Sequence, residues 1–110
     1  MIEVEKISGI FEFETGEKTL GEDVDAETVK VFLVNGKAFL VERKNTLEVR
    51  TDRKLGLRLR EEYESVMESR YFGRGGIELV NSGQLDEAAV EDLIRLSYNL
   101  TKEENENQGQ

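Results

Sequence analysis

Seven basic side chains fall between positions 43 and 60: Arg43, Lys44, Arg50, Arg53, Lys54, Arg58 and Arg60. Only Glu48 and Asp52 oppose them, so the stretch carries a local charge of +5 within a chain whose formal total is -9. Guanidinium and ammonium groups at this density can neutralise phosphates, releasing counterions from a polyanion. The plainer reading is a set of solvated charges, many of them paired with neighbouring Glu. A second candidate is Gly73-Arg74-Gly75-Gly76, where successive backbone N–H groups could cradle an anion beneath Arg74. Its spacing matches neither a P-loop nor a dinucleotide fingerprint, and a turn with positive φ explains it more simply. Asp23, Asp25 and Glu27 suggest a cation site. An EF-hand needs a mid-loop glycine and a terminal carboxylate, and counting from Asp23 places Thr28 and Val34 there, so that motif fails. A looser acidic surface for iron or calcium is the remaining version, and no metal site is assigned.

Other chemistry is thinly supplied. There is no His and no Cys, which removes the usual general base, the commonest metal ligand, thiolate nucleophiles and disulfides. The carboxylates, Lys, Ser and Tyr that remain form no recognisable catalytic constellation, and neither an enzyme nor a cofactor is expected. Tyr63, Tyr71 and Tyr98, with Phe32 and Phe39, could stack on single-stranded bases, but most fall at inward-facing spacings and read as core. No apolar run approaches the ~20 residues of a membrane span, so no membrane partner is expected. The acidic start Met1 to Glu5 does not resemble a secretory leader, and a cytoplasmic location is expected.

The charge is unevenly distributed. Residues 1–28 carry -7, residues 29–76 carry +4 and residues 77–110 carry -6. A basic middle can offer a local anion-binding face while the long-range field repels polyanions.

The elements that must position these groups read as follows. Residues 2–14 alternate loosely and suit a helical turn then a strand, or a strand pair. Residues 15–28 are polar and acidic and read as a loop. Val29 to Val34 and Lys37 to Glu42 flank Asn35-Gly36, whose two positive φ angles make a type I′ hairpin. A turn at Lys44-Asn45 leads to a third strand, Thr46 to Arg50, with Leu47 and Val49 inward and Glu48 and Arg50 outward. Asp52 offers an N-cap, and Leu55, Leu59, Tyr63 and Val66 predict a helix over 53–68. Arg58 with Glu62 and Arg60 with Glu64 would pair on its wet side. Gly56 inside this helix costs about 1 kcal/mol relative to Ala, tolerable where close packing needs it. Ile77 to Val80 is a fourth strand, Asn81-Ser82-Gly83 a turn, and Asp86 caps a second helix over 86–100. The segment 103–110 has no apolar residue and is expected to be disordered.

From about Val29 to Leu100 the chain resembles the MmcQ/YjbR family, whose fold is described as CyaY-like. The resemblance rests on the hairpin Lys30-Val31-Phe32-Leu33-Val34-Asn35-Gly36-Lys37-Ala38-Phe39 and on Leu59-Arg60-Glu61-Glu62-Tyr63. It rests equally on Tyr71-Phe72-Gly73-Arg74-Gly75-Gly76-Ile77 and on Leu93-Ile94-Arg95-Leu96-Ser97-Tyr98. Ile77 stands where members usually carry Trp, and the N-terminal third lies outside the likeness. The resemblance implies a small non-catalytic module, and the family is often labelled DNA-binding.

Together these readings predict one α+β domain over residues 1–102. Its antiparallel sheet has four or five strands, with two helices packed on one face. Phe32 and Leu33 must face opposite sides of that sheet. The candidate nucleic-acid contacts are Arg43, Lys44, Arg50, Arg53, Lys54, Arg58 and Arg74. The alternative is a protein-interaction or self-associating domain, a homodimer included, that uses an apolar sheet face.

Overall fold

The computed structural model describes residues 12–80 and 83–108. The readings for residues 2–11, for Asn81 and Ser82 of the expected turn, and for Gly109 and Gln110 lie outside them. Six strands form one antiparallel sheet: β1 (Glu14–Leu20), β2 (Glu27–Val34), β3 (Lys37–Glu42), β4 (Thr46–Arg50), β5 (Val66–Ser69) and β6 (Gly73–Val80). Their spatial order is β1-β2-β3-β4-β6-β5. Two helices complete the α+β architecture, α1 (Arg53–Glu62) and α2 (Glu87–Gln108).

Local chemistry accounts for most boundaries. Asn35 and Gly36 take φ of 53° and 82°, the paired positive values that turn β2 into β3. Asp52 caps α1 by accepting from the Leu55 N–H at 2.9 Å, and Asp86 caps α2 by accepting from the Ala89 N–H at 2.9 Å. The register between β2 and β3 shifts at Phe32/Leu33, leaving Phe39 as an extra residue between Ala38 and Leu40. The bulge lets Phe39 and Leu40 both enter the helix-facing core. It also frees the Phe39 carbonyl from the ladder, and that carbonyl accepts from Ser97 Oγ on α2 at 2.5 Å. The same hydroxyl accepts from the Arg50 N–H at 2.8 Å, so one buried serine fastens α2 to two strands.

Both helices rest on one face of the sheet. Leu47, Val49, Ile77 and Leu79 meet Leu55 and Leu59 of α1 and Val90, Leu93, Ile94 and Tyr98 of α2. Phe32 belongs to this core and Leu33 to the opposite face, as alternation requires. On that opposite face Val29, Val31 and Val41 are buried with Leu20, Leu33, Tyr71 and Phe72 around them. They are buried because the sheet curls: Lys18 of β1 donates to the Tyr71 hydroxyl beyond β5 at 2.8 Å, joining the first and last strands of the sheet order.

Several expectations are corrected here. The helix expected over 53–68 ends at Glu62, because Tyr63 adopts extended φ and ψ of -125° and 123° and Val66–Ser69 pairs with β6. Part of the segment read as a loop, residues 15–28, is β1 and the start of β2, with a 3-10 turn at Asp23–Asp25 between them. Strand β6 starts at Gly73, so the glycine run is strand rather than a free loop. Of the tail expected to be disordered, residues 103–108 continue α2. Glu48, expected to face water, is fully buried, since the curled sheet encloses the side to which it points.

Candidate functional site

The basic tract divides into three parts. Arg43 leaves the candidate set, because its side chain is 5% exposed and held by two carboxylates. Its Nε donates to Glu48 Oε2 at 2.5 Å and its Nη1 to Glu27 Oε2 at 2.7 Å. Arg50 is also engaged: Nη2 donates to Glu104 Oε1 at 2.7 Å, and Nη1 reaches Thr101 Oγ1 at 3.4 Å. The hydrogen bond from Arg50 holds the Glu104 carboxyl below its ordinary range against a smaller opposing effect of burial. Lys44 is exposed at the turn between β3 and β4, away from the rest.

The third part converges. Arg53, Lys54 and Arg60 of α1 and Arg74 of β6 line one open cleft of about 260 Å³, together with Leu57 and Glu68. Arg53 and Arg60, seven residues apart, project from the same side of α1, since seven residues are close to two turns. Arg58 lies about 200° around the helix from Arg60 and does not line the cleft. Among the described residues no carboxylate lies within ion-pair range of Arg53, Lys54, Arg58, Arg60 or Arg74. The expected pairs of Arg58 with Glu62 and Arg60 with Glu64 do not form, and Glu64 falls beyond the helix end. The tight stop at Glu62 removes the turn that would have carried it. Leu57 is half exposed on the cleft, giving the cations an apolar neighbour. Among the described residues no aromatic side chain lines it.

A second charged centre went unseen in the sequence. Glu48 and Glu78 are direct cross-strand partners on the enclosed face, and both are buried. Two carboxylates opposite each other repel unless each is neutralised. Glu48 has Arg43, and it also accepts from Ser69 Oγ at 2.7 Å and the Tyr71 N–H at 2.8 Å. Glu78 has Arg70, whose Nε and Nη2 donate at 3.0 and 2.6 Å, and the Thr46 hydroxyl at 2.9 Å. Burial pushes the Glu78 carboxyl up, but the hydrogen bonds from Arg70 and Thr46, with the Arg70 charge, outweigh it and hold the pKa at about 2. The hydrogen bond to Glu78 in turn raises Arg70. The alternation Leu47-Glu48-Val49 signalled only that Glu48 faces away from the helices; that this side is closed depends on the distant Lys18–Tyr71 contact.

The remaining candidates resolve simply. Asp23 and Asp25 are exposed on the 3-10 turn, Glu27 is bound to Arg43, and no cluster suited to a metal occurs among the described residues. Phe13, Phe32, Phe39 and Tyr98 make edge-on ring contacts in the helix-facing core, and Tyr71 meets Phe72 and Lys18. Of the apolar residues of the second face, on which the self-association alternative depended, Val29, Val31 and Val41 are buried within the chain, and Leu20, Leu33, Tyr71 and Phe72 are half-buried. No described helix is long and apolar enough to cross a membrane. Comparison with protein-family models, curated proteins and solved structures gives no match to this chain.

Proposed function

We propose that this protein is a small non-catalytic binding module that contacts the phosphate backbone of nucleic acid through Arg53, Lys54, Arg60 and Arg74. One observation carries the reading. Arg43, Arg50, Arg70 and Arg95 are each engaged by a Glu, whereas Arg53, Arg58, Arg60 and Arg74 have no such partner among the described residues. Three of these four share a cleft with Lys54. Unpaired cations at this spacing favour an external polyanion over internal neutralisation. The resemblance to the MmcQ/YjbR family points the same way.

The geometry limits what such binding can achieve. Arg53 to Arg60 spans about 10 Å along α1, roughly three phosphates of one duplex strand. With no aromatic among the described residues of the cleft, stacking on bases is not what holds the ligand, so binding is independent of sequence and does not favour single strands. The net charge of -9 makes it weak at physiological salt. Fluorescence anisotropy with duplex and single-stranded DNA over a salt series tests this. The plot of log K against log salt should have a slope near -3, from three to four neutralised phosphates. Reversal to Glu at Arg53, Arg60 and Arg74 should abolish binding. Affinity that ignores salt, or that survives those reversals, defeats the proposal.

A further inference from the structure

The enclosed face opens at one end into a second cleft, of about 470 Å³, lined by Leu20, Gly21, Asp25, Glu27, Arg43, Arg70 and Tyr71. Its volume is within the range of small-molecule sites, about 300–1,000 Å³. It lies on the opposite side of the sheet from the helices and is independent of the polyanion reading.

Two guanidinium groups reach this cleft, and each is fixed from behind by a buried carboxylate: Arg43 by Glu48 and Arg70 by Glu78. Their bonds are fully assigned except at one edge of each. Arg43 uses Nε and Nη1, and its Nη2 has no acceptor among the described residues. Arg43 is 7% exposed and lines the cleft, and its Nη2 keeps some contact with solvent. Arg70 uses Nε and Nη2 on Glu78, which leaves Nη1 free on a side chain that is 59% exposed. A guanidinium held rigidly on one edge presents its remaining N–H groups with little entropy to lose, the arrangement suited to a carboxylate.

The cleft is not simply cationic. Asp25 and Glu27 form its other charged lining, and Glu27 commits only Oε2 to Arg43. Glu48 and Glu78 already neutralise the two guanidinium groups, so Asp25 and Glu27 leave the rim net acidic, while the spare N–H edges of Arg43 and Arg70 still lack an acceptor among the described residues. A plain anion would meet Asp25 and Glu27 unfavourably, and a plain cation would leave the spare N–H groups of Arg43 and Arg70 without an acceptor. A ligand bearing both charges satisfies both sets, and Leu20 with the Tyr71 ring supplies an apolar surface for its body.

We infer that this cleft binds a free amino acid as its zwitterion, the carboxylate on Arg43 Nη2 and Arg70 Nη1 and the ammonium on Asp25 and Glu27. The test is a chemical-shift titration of the labelled protein with each of the standard L-amino acids at about 10 mM, where a millimolar Kd is readily detected. The best binder is then compared with its deaminated and its decarboxylated analogue. At least one amino acid should shift the amides of residues 20–27 and 70–72, and each analogue should bind about tenfold more weakly or worse. Asp25→Asn, on an exposed side chain that makes no structural bond, should weaken binding by a similar factor, and Arg70→Lys should do so through loss of the forked donor. The inference is overturned if no amino acid shifts these amides. It is equally overturned if both analogues bind like the parent, or if Asp25→Asn leaves affinity unchanged.

Discussion

Removing Arg43 should be among the most damaging single substitutions away from the apolar core, and the reason is its partner. Glu48 has no exposed surface and three donors: Arg43 Nε, Ser69 Oγ and the Tyr71 N–H. Arg43→Met leaves the carboxylate buried with two neutral donors and no counter-charge, a loss of about 3–5 kcal/mol. Glu48→Gln is milder, about 1–3 kcal/mol, because Arg43 keeps Glu27 and the amide oxygen still accepts from Ser69 and Tyr71. The double variant removes both charges and keeps those two hydrogen bonds. It should lie within about 2 kcal/mol of the parent, above Arg43→Met alone, giving a favourable coupling of at least about 2 kcal/mol. Urea unfolding followed by circular dichroism measures this. With an m-value of about 1.5 kcal/mol/M, Arg43→Met lowers the midpoint by about 2–3 M. Arg95→Met, which breaks the exposed pair with Glu91 at 3.6 Å, is the control and should cost no more than about 0.5 kcal/mol. If Arg43→Met costs under about 1 kcal/mol, or if the two single effects simply add, the buried pair does not hold the curled face together as argued.

Two further perturbations probe other parts of the fold. The Glu78 carboxyl has a folded pKa of about 2, below its ordinary 4.5, so its contribution is present in full above pH 4.5 and disappears as pH falls through that window to 2. Linkage sets a ceiling near 3 kcal/mol, and exposure of the Arg70 partner brings the expected value to about 1–2 kcal/mol. The stability gap between the parent and Glu78→Gln should therefore narrow between pH 4.5 and 2, and a gap that stays constant there contradicts the assignment. Gly56→Ala should destabilise despite a gain of about 1 kcal/mol in helix propensity, because the new Cβ would fall 2.7 Å from Thr51 Oγ1. Adding Thr51→Ala removes that clash, together with a buried hydroxyl that has no partner, and should recover stability; a Gly56→Ala variant as stable as the parent refutes the contact.

The sequence was most legible where a residue's own chemistry dictates the backbone. Asn35-Gly36, Asp52 and Asp86 each demand a local conformation, and the β2–β3–β4 meander and both helix starts were readable from them. Legibility failed where a distant partner decides. Val66 continues the helical stripe of Leu55, Leu59 and Tyr63, yet it pairs with Leu79 as strand, and nothing within its own turn reveals that. β1 is polar on both faces and exists because β2 pairs with it; its Glu and Lys residues suit an outermost strand. The same rule governs the site. Arg53, Lys54 and Arg60 of the basic tract line one cleft with Arg74, which was read apart from them over the glycine run. Arg43 and Arg50 are claimed by Glu27 and Glu104, 16 and 54 positions away, and charge patterning along the chain cannot show such claims.

A buried ionic network seldom makes a protein more stable than apolar residues of the same shape would. Its effect here is better understood through register. Side chains alternate along a strand, so slipping β4 or β6 by one position would turn Glu48 or Glu78 into the helix-facing layer among Leu47, Val49, Ile77 and Leu79. Neither Arg43 nor Arg70 could follow, and a carboxylate without its counter-charge would cost several kcal/mol. The apolar residues alone penalise such a slip less sharply, since valine and leucine occupy both faces of the sheet. The two Arg–Glu pairs thus select one alignment of β4 against β6, and that alignment holds the β5–β6 turn where Tyr71 meets Lys18. The contact closes the curl, and the same two guanidinium groups present their spare N–H groups at its open end. One set of residues therefore fixes the register of the sheet and shapes the cleft proposed to take a zwitterion.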